Sequence, residues 1–104
     1  MSKRVIRGDA STRQVWISDV ELLPHESQKV RNHSPDGFNW AYSGSGPAQL
    51  ALALMLRYCT SRHEAERCYQ AFKHNFVAIW EGDFTCDEQD VLSWLERWRK
   101  AYGG

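Results

Sequence analysis

The rhythm of apolar residues changes near the middle of the chain. Up to residue 42 they come in short runs alternating with polar side chains; from residue 47 they recur every three or four positions. Residues 3–7 read as a short strand ended by Gly8-Asp9. Residues 14–20 read as a second, with Val15 and Ile17 on one face and Trp16 on the other. The turn-like link at residues 9–13 makes the pair a hairpin. Residues 21–24 continue as extended chain, because the residue before Pro24 avoids helical backbone. Residues 27–33 fit either a third strand or an irregular crossing. Ser34-Pro-Asp-Gly37 is turn chemistry, and Phe38-Asn-Trp-Ala-Tyr42 alternates as one more strand would.

The second half reads as three helices. The first spans residues 47–59, with Pro47 as its first helical residue and Gly46 or Ser45 as the cap. It is apolar on nearly every side, so it belongs at the centre of the core. Ser61-Arg-His-Glu64 is a capping box that opens the second helix, whose stripe is Ala65, Cys68, Tyr69, Phe72, Phe76 and Ile79. After a turn at residues 81–83, Thr85-Cys-Asp-Glu88 forms another box, opening a helix striped by Val91, Leu92, Trp94, Leu95, Trp98 and Tyr102. Asp87, Glu88 and Asp90 near its start and Arg97, Arg99 and Lys100 near its end suit the helix dipole. Gly103-Gly104 reads as a frayed tail. Strands first and helices after predict an α+β fold: two to four antiparallel N-terminal strands packed on a C-terminal three-helix unit. The expectation is a single domain over residues 1–104, strand-rich over 1–42 and helical over 47–102.

Composition narrows the function without naming it. Lys and Arg number 13 and Asp and Glu 13, so no global field steers the chain toward DNA or an anionic membrane. A modest basic face remains in Arg57, Arg62, Arg67 and Lys73, which solvation alone would explain. The longest apolar run, residues 50–56, is far short of the roughly 20 residues that cross a bilayer. The opening Met-Ser-Lys-Arg-Val-Ile-Arg lacks the apolar centre of a secretory signal. Cys59, Cys68 and Cys86 are an odd number without close spacing, which predicts reduced thiols in a cytoplasmic protein rather than a disulfide framework.

The run His33-Ser-Pro-Asp-Gly-Phe-Asn-Trp-Ala-Tyr-Ser-Gly-Ser-Gly-Pro-Ala-Gln-Leu carries the candidate chemistry. It brings Ser43, Gly44, Ser45 and Gly46 to a helix N-terminus, where unpaired N–H groups and the positive end of the dipole favour an anion. The loop lacks the Lys-Ser/Thr of a P-loop and the third glycine of a dinucleotide fingerprint. Its plainer reading is a sharp corner that binds nothing. His33 is a candidate base or phosphate ligand, or else a loop histidine bonded to a carbonyl. Asn39 and Gln49 either read a ligand's edge or close backbone bonds. Trp40 and Tyr42 either stack on a ligand ring or join the core, and Asp36 suits capping its own turn. Metal binding is not expected, since His63 and His74 lie about 16 Å apart along one helix. Cys59 and Cys68 read as inert core thiols. Cys86, in a first helical turn, would have its thiolate favoured by the dipole and opposed by Asp87 and Glu88. Trp94 and Trp98 read as core or a dimer seam.

The same run resembles the signature of a small family, the domain of unknown function numbered 6166: N-H-S-P-x-G-F-x-W-G-Y-x-G-S-G-P-A-Q-L-A-L-A, followed by Y-Q-x-F-K. Asn32 precedes His33 here, and Tyr69-Gln-Ala-Phe-Lys73 matches the second piece. Ala41 stands where the family usually has glycine, so the backbone there is not expected to need a glycine-only conformation. The resemblance implies members in bacteria, haloarchaea, plasmids and phages, and no activity. Such a setting points toward anti-defence roles, an anti-CRISPR-like inhibitor among them.

The expected function is a small non-catalytic intracellular binding protein without a cofactor. It would use His33, Asn39, Trp40, Ser43, Gly44, Ser45 and Gly46 on an anionic group of a protein or nucleoprotein partner, such as a phosphate or nucleic-acid backbone. One alternative is an enzyme acting on a nucleotide or phosphoester, with His33 as acid/base beside Ser43 or Ser45. Another is a dimeric structural protein joined through Trp94 and Trp98.

Overall fold

Buried Ile6 and Gly8 flank exposed Arg7, and this period of two builds β1 (Val5–Gly8). In the computed structural model, which describes residues 4–102, Lys3 and the expected tail Gly103-Gly104 lie outside the described residues. β2 (Val15–Ile17) pairs antiparallel with β1, placing Ile6 opposite Ile17 and Arg7 opposite Trp16. The expected strand over residues 14–20 breaks at Ser18, whose φ of 55° makes a tight two-residue turn into β3 (Val20–Leu22). Residues 27–33 are neither strand nor irregular crossing throughout. Pro24, with helical φ and ψ of −76° and −20°, leads into the short helix α1 (His25–Val30).

Residues 38–42 were expected as a strand, and they are not one. Phe38 and Trp40 are both buried, yet the chain between them is irregular. The Asn39 side-chain oxygen accepts from the Trp40 amide at 2.9 Å, and the Ala41 amide donates to the carbonyl of Val77 at 3.1 Å. These bonds replace a ladder.

Two helices follow as a hairpin: α2 (Ser45–Tyr58) and α3 (Arg62–Asn75), joined across residues 59–61. α2 starts two residues earlier than expected and is buried from Gly46 to Met55. The Ser61 hydroxyl caps α3 by accepting from the Glu64 amide at 3.1 Å, as the capping box predicts. A 3-10 turn (Val77–Ile79) ends this arm, leaving Ile79 exposed rather than on the stripe.

The remaining sheet position goes to β4 (Phe84–Asp87), which runs antiparallel to β1 on its open side. Thr85 and Cys86 therefore lie in a strand, not in a first helical turn. α4 (Glu88–Tyr102) begins after them, with the Asp87 carboxylate accepting from the Gln89 amide at 2.9 Å. The sheet order is β3-β2-β1-β4. One α+β core results, joining Ile6, Val15, Ile17, Phe84 and Cys86 from the sheet with α2, Phe72, Val91 and Leu95. Its sequence halves are less pure than expected, since α1 falls in the first and β4 in the second.

Ala41 corrects the expectation attached to it: its φ is 78°, in the left-handed region. An alanine there is strained by about 1–2 kcal/mol, partly offset because glycine frees the unfolded chain. Ala41→Gly is therefore expected to stabilise the fold by roughly 0.5–1 kcal/mol, read by urea unfolding. A loss of stability would contradict the strain.

Candidate functional site

The glycines at the opening of α2 serve close packing. A Cβ on Gly46 would come within 2.5 Å of the Asn39 Cβ, and one on Gly44 would collide with the Tyr42 ring. Gly44, extended at φ −150°, is the cap, and its carbonyl receives the first intrahelical bond from Ala48 at 3.0 Å. Pro47 has no N–H to satisfy. Among the described residues, neither the Ser45 nor the Gly46 amide reaches an acceptor. Tyr42, Ser43 and Ser45 are exposed around this corner, while Gly46 is buried.

Gln49, one turn into α2, is completely buried. Its side-chain oxygen accepts from the amides of His33 at 2.8 Å and Ser34 at 3.0 Å. Its nitrogen donates to the Ser27 hydroxyl at 2.9 Å and the Arg31 carbonyl at 3.1 Å. Of the two roles open to Gln49, closing backbone bonds is the one it fills. Through it, the segment from α1 to His33 is stitched onto α2.

His33 is thereby aimed across the helix hairpin at α3. Its Nε2 lies 2.8 Å from the Tyr69 hydroxyl, with the rings tilted at 46°. Partial burial lowers its pKa below the ordinary histidine value, and the nearby charges of Arg31 and Lys73 lower it further. Among the described residues, no hydrogen bond joins it to Ser43 or Ser45, as the phosphoester-enzyme alternative required.

Lys73, one turn beyond Tyr69, is only 9% exposed. Among the described residues its ammonium has no ion pair or hydrogen bond. Among the described residues no fully buried side-chain nitrogen lacks a partner, so the Lys73 tip meets solvent while its stem is enclosed. Nearby cations are differently placed: Glu66 holds Arg31 at 3.1 Å and Arg62 at 3.3 Å, and Glu64 holds Arg99 at 2.7 Å. α2 and α3 run antiparallel, so the start of α2 and the end of α3 share one end of the hairpin. The bond from Ala41 to Val77 ties these ends together. Tyr69 and Lys73 were missed as site residues because they read as stripe and basic face; the Tyr-Gln-Ala-Phe-Lys segment was the available signal.

Other expected contacts are redirected. Trp40 is 1% exposed, its indole N–H donates to the Gly82 carbonyl at 2.7 Å, and its ring meets Phe84 edge-on. It belongs to the core and offers no face to a ligand. Asn39 spends its amide oxygen on the Trp40 backbone. Trp94 packs on Phe72 and Phe76, and Trp98 is buried beside Arg67, leaving Leu92 and Tyr102 as the exposed large apolar residues of α4. Cys86 is buried in β4, and burial, with Asp90 and Asp87, pushes its thiol up to about 11. The expected helix-dipole assistance is absent there.

A family model described as "Family of unknown function (DUF6166)" matches residues 3–97, and the chain belongs to that family. No curated protein and no solved structure matches it.

Two outcomes follow. Gln49→Leu would strip acceptors from two amides and donors from Ser27 and Arg31, destabilising the protein by roughly 3 kcal/mol in chemical unfolding. A cost below about 1 kcal/mol would contradict the hub. For His33, the unfolded state holds its proton more tightly than the fold does. Stability is therefore fully present above about pH 6.5 and falls as pH drops toward the lower folded value. An NMR titration of the His33 ring should give a midpoint below that of a free histidine; a raised midpoint would contradict the assignment.

Proposed function

We propose that this member of the family is a non-catalytic binding protein that grips an anionic group of a protein or nucleoprotein partner where α2 opens. The observation that carries the reading is Lys73: an ammonium with an enclosed stem and no carboxylate partner among the described residues, beside the His33–Tyr69 pair. The amides of Ser45 and Gly46, which reach no acceptor among the described residues, add donors of the same polarity at the same end of the hairpin. A phosphate or nucleic-acid backbone phosphate suits this set, because its oxygens accept from both N–H groups and ammonium. The residues in contact would be Lys73, His33, Ser43 and Ser45; Gly44 and Gly46 shape the approach.

The setting of phages and plasmids that the family resemblance implies makes an anti-defence protein, acting on a nucleoprotein complex in the cytoplasm, the role that fits such a surface. Among the described residues no helix is long and apolar enough to cross a membrane. No observation favours the enzyme reading, whose acid/base histidine is bonded to Tyr69 rather than to a serine.

Inorganic phosphate and a short single-stranded DNA, titrated into the labelled protein, should shift the Ser45 and Gly46 amide resonances. Lys73→Gln should weaken that binding roughly tenfold or more. Unmoved resonances at saturating phosphate and DNA, or equal binding by the variant, would overturn the proposal.

A further inference from the structure

The opposite end of the hairpin holds a second pair of groups that the binding reading does not use. Cys59, at the end of α2, and Cys68, in the middle of α3, are nine positions apart, with their sulfurs at 3.6 Å. Both thiols are free. The helical reversal between them folds back a spacing that looks unpaired along the chain. We propose that Cys59 and Cys68 form a reversible disulfide that pins the turn between α2 and α3 under oxidising conditions.

A disulfide needs its sulfurs at about 2.05 Å, so each must approach by less than about an ångström from contact distance. The side-chain rotation required is local, because Cys59 is the cap that ends α2: its amide still donates to the Met55 carbonyl at 2.8 Å, but its own backbone (φ −77°, ψ 157°) has already left the helical conformation. Exposure sets the order of events. Cys59 is partly exposed and Cys68 is buried, so Cys59 meets an external oxidant first. With a small disulfide such as oxidised glutathione, the Cys59 thiolate attacks one sulfur and expels one glutathione thiolate. Cys68, deprotonated in turn, attacks the Cys59 sulfur of the mixed disulfide and expels the second. Two protein thiols are oxidised, one small disulfide is reduced, and the two protons end on the two glutathione thiols.

The surroundings make the pair selective. The Cys68 thiol, burial and then the Glu64 carboxylate hold the proton on Cys59, so its attack on a disulfide waits on deprotonation and casual oxidation is slow. Cys68 has its thiolate favoured by the neighbouring Cys59 thiol. Glu64 itself is held at about 2 by its bond to Arg99, so α4 braces the same turn. Cys86, buried in β4, has no sulfur neighbour among the described residues.

The test exposes the reduced full-length protein to graded ratios of oxidised to reduced glutathione. Intact mass and peptide mapping are read after acid quench and alkylation of the unfolded chain. The expected result is loss of two hydrogens, a linked Cys59–Cys68 peptide, an alkylated Cys86, and a melting temperature raised by roughly 5–15 °C. Cys86→Ser should behave identically, whereas Cys59→Ser and Cys68→Ser should each lose the cross-link. A stable glutathione adduct with Cys68 still alkylated, a link involving Cys86, or no change in mass at full oxidation would overturn the proposal.

Discussion

One buried amide holds the candidate site together. Gln49 presents an acceptor to two backbone N–H groups and donors to a hydroxyl and a carbonyl, and all four partners lie between α1 and the Ser34 turn. Only an amide side chain has this two-sided character: a carboxylate could accept from His33 and Ser34 but could not donate to Arg31. Around a fully buried Gln49 the groups it serves would lose their partners with it, which is far costlier than the bonds are individually favourable. The irregular segment therefore takes one path over α2, and His33 meets Tyr69 as a consequence of that path.

Charge along α3 is decided by who pairs with whom rather than by the total. Glu66 occupies Arg31 and Arg62, and Glu64 occupies Arg99. Lys73 has no ion pair or hydrogen bond among the described residues, in a chain whose net charge is zero. Burial first, then the charges of Arg31 and Lys73, lower the His33 pKa. The hairpin of α2 and α3 separates two sets of groups: His33, Tyr69 and Lys73 toward its open end, thiols near its closed turn.

How much of this could be read along the chain depended on the range of the forces involved. α2, α3 and α4 were legible because caps and three-to-four-residue periodicity act within one segment. The strands are three or four residues long and depend on partners. Residues 38–42 and 84–87 alternate similarly, yet the open side of β1 accepts only one, and Phe84 and Cys86 complete its buried face. α1, at six residues, is too short for any period to declare itself. The glycine and serine corner is legible from its composition; which of the two readings of Trp40 holds is not, because the Gly82 carbonyl that keeps it in the core comes from 42 positions away. Lys73 reads along the chain as a solvated base, and its burial appears only in the folded structure. The Cys59–Cys68 approach likewise appears only once the helices fold back on each other.

Backbone amide hydrogen exchange at His33 and Ser34 tests the organising role of Gln49 most directly. Both lie outside any helix or strand, so a segment held only by local turns would exchange quickly. The account predicts that these two amides are protected as strongly as those of Leu52 and Leu54 inside α2, opening only with the whole fold. Fast exchange at His33 and Ser34 while α2 stays protected would contradict it.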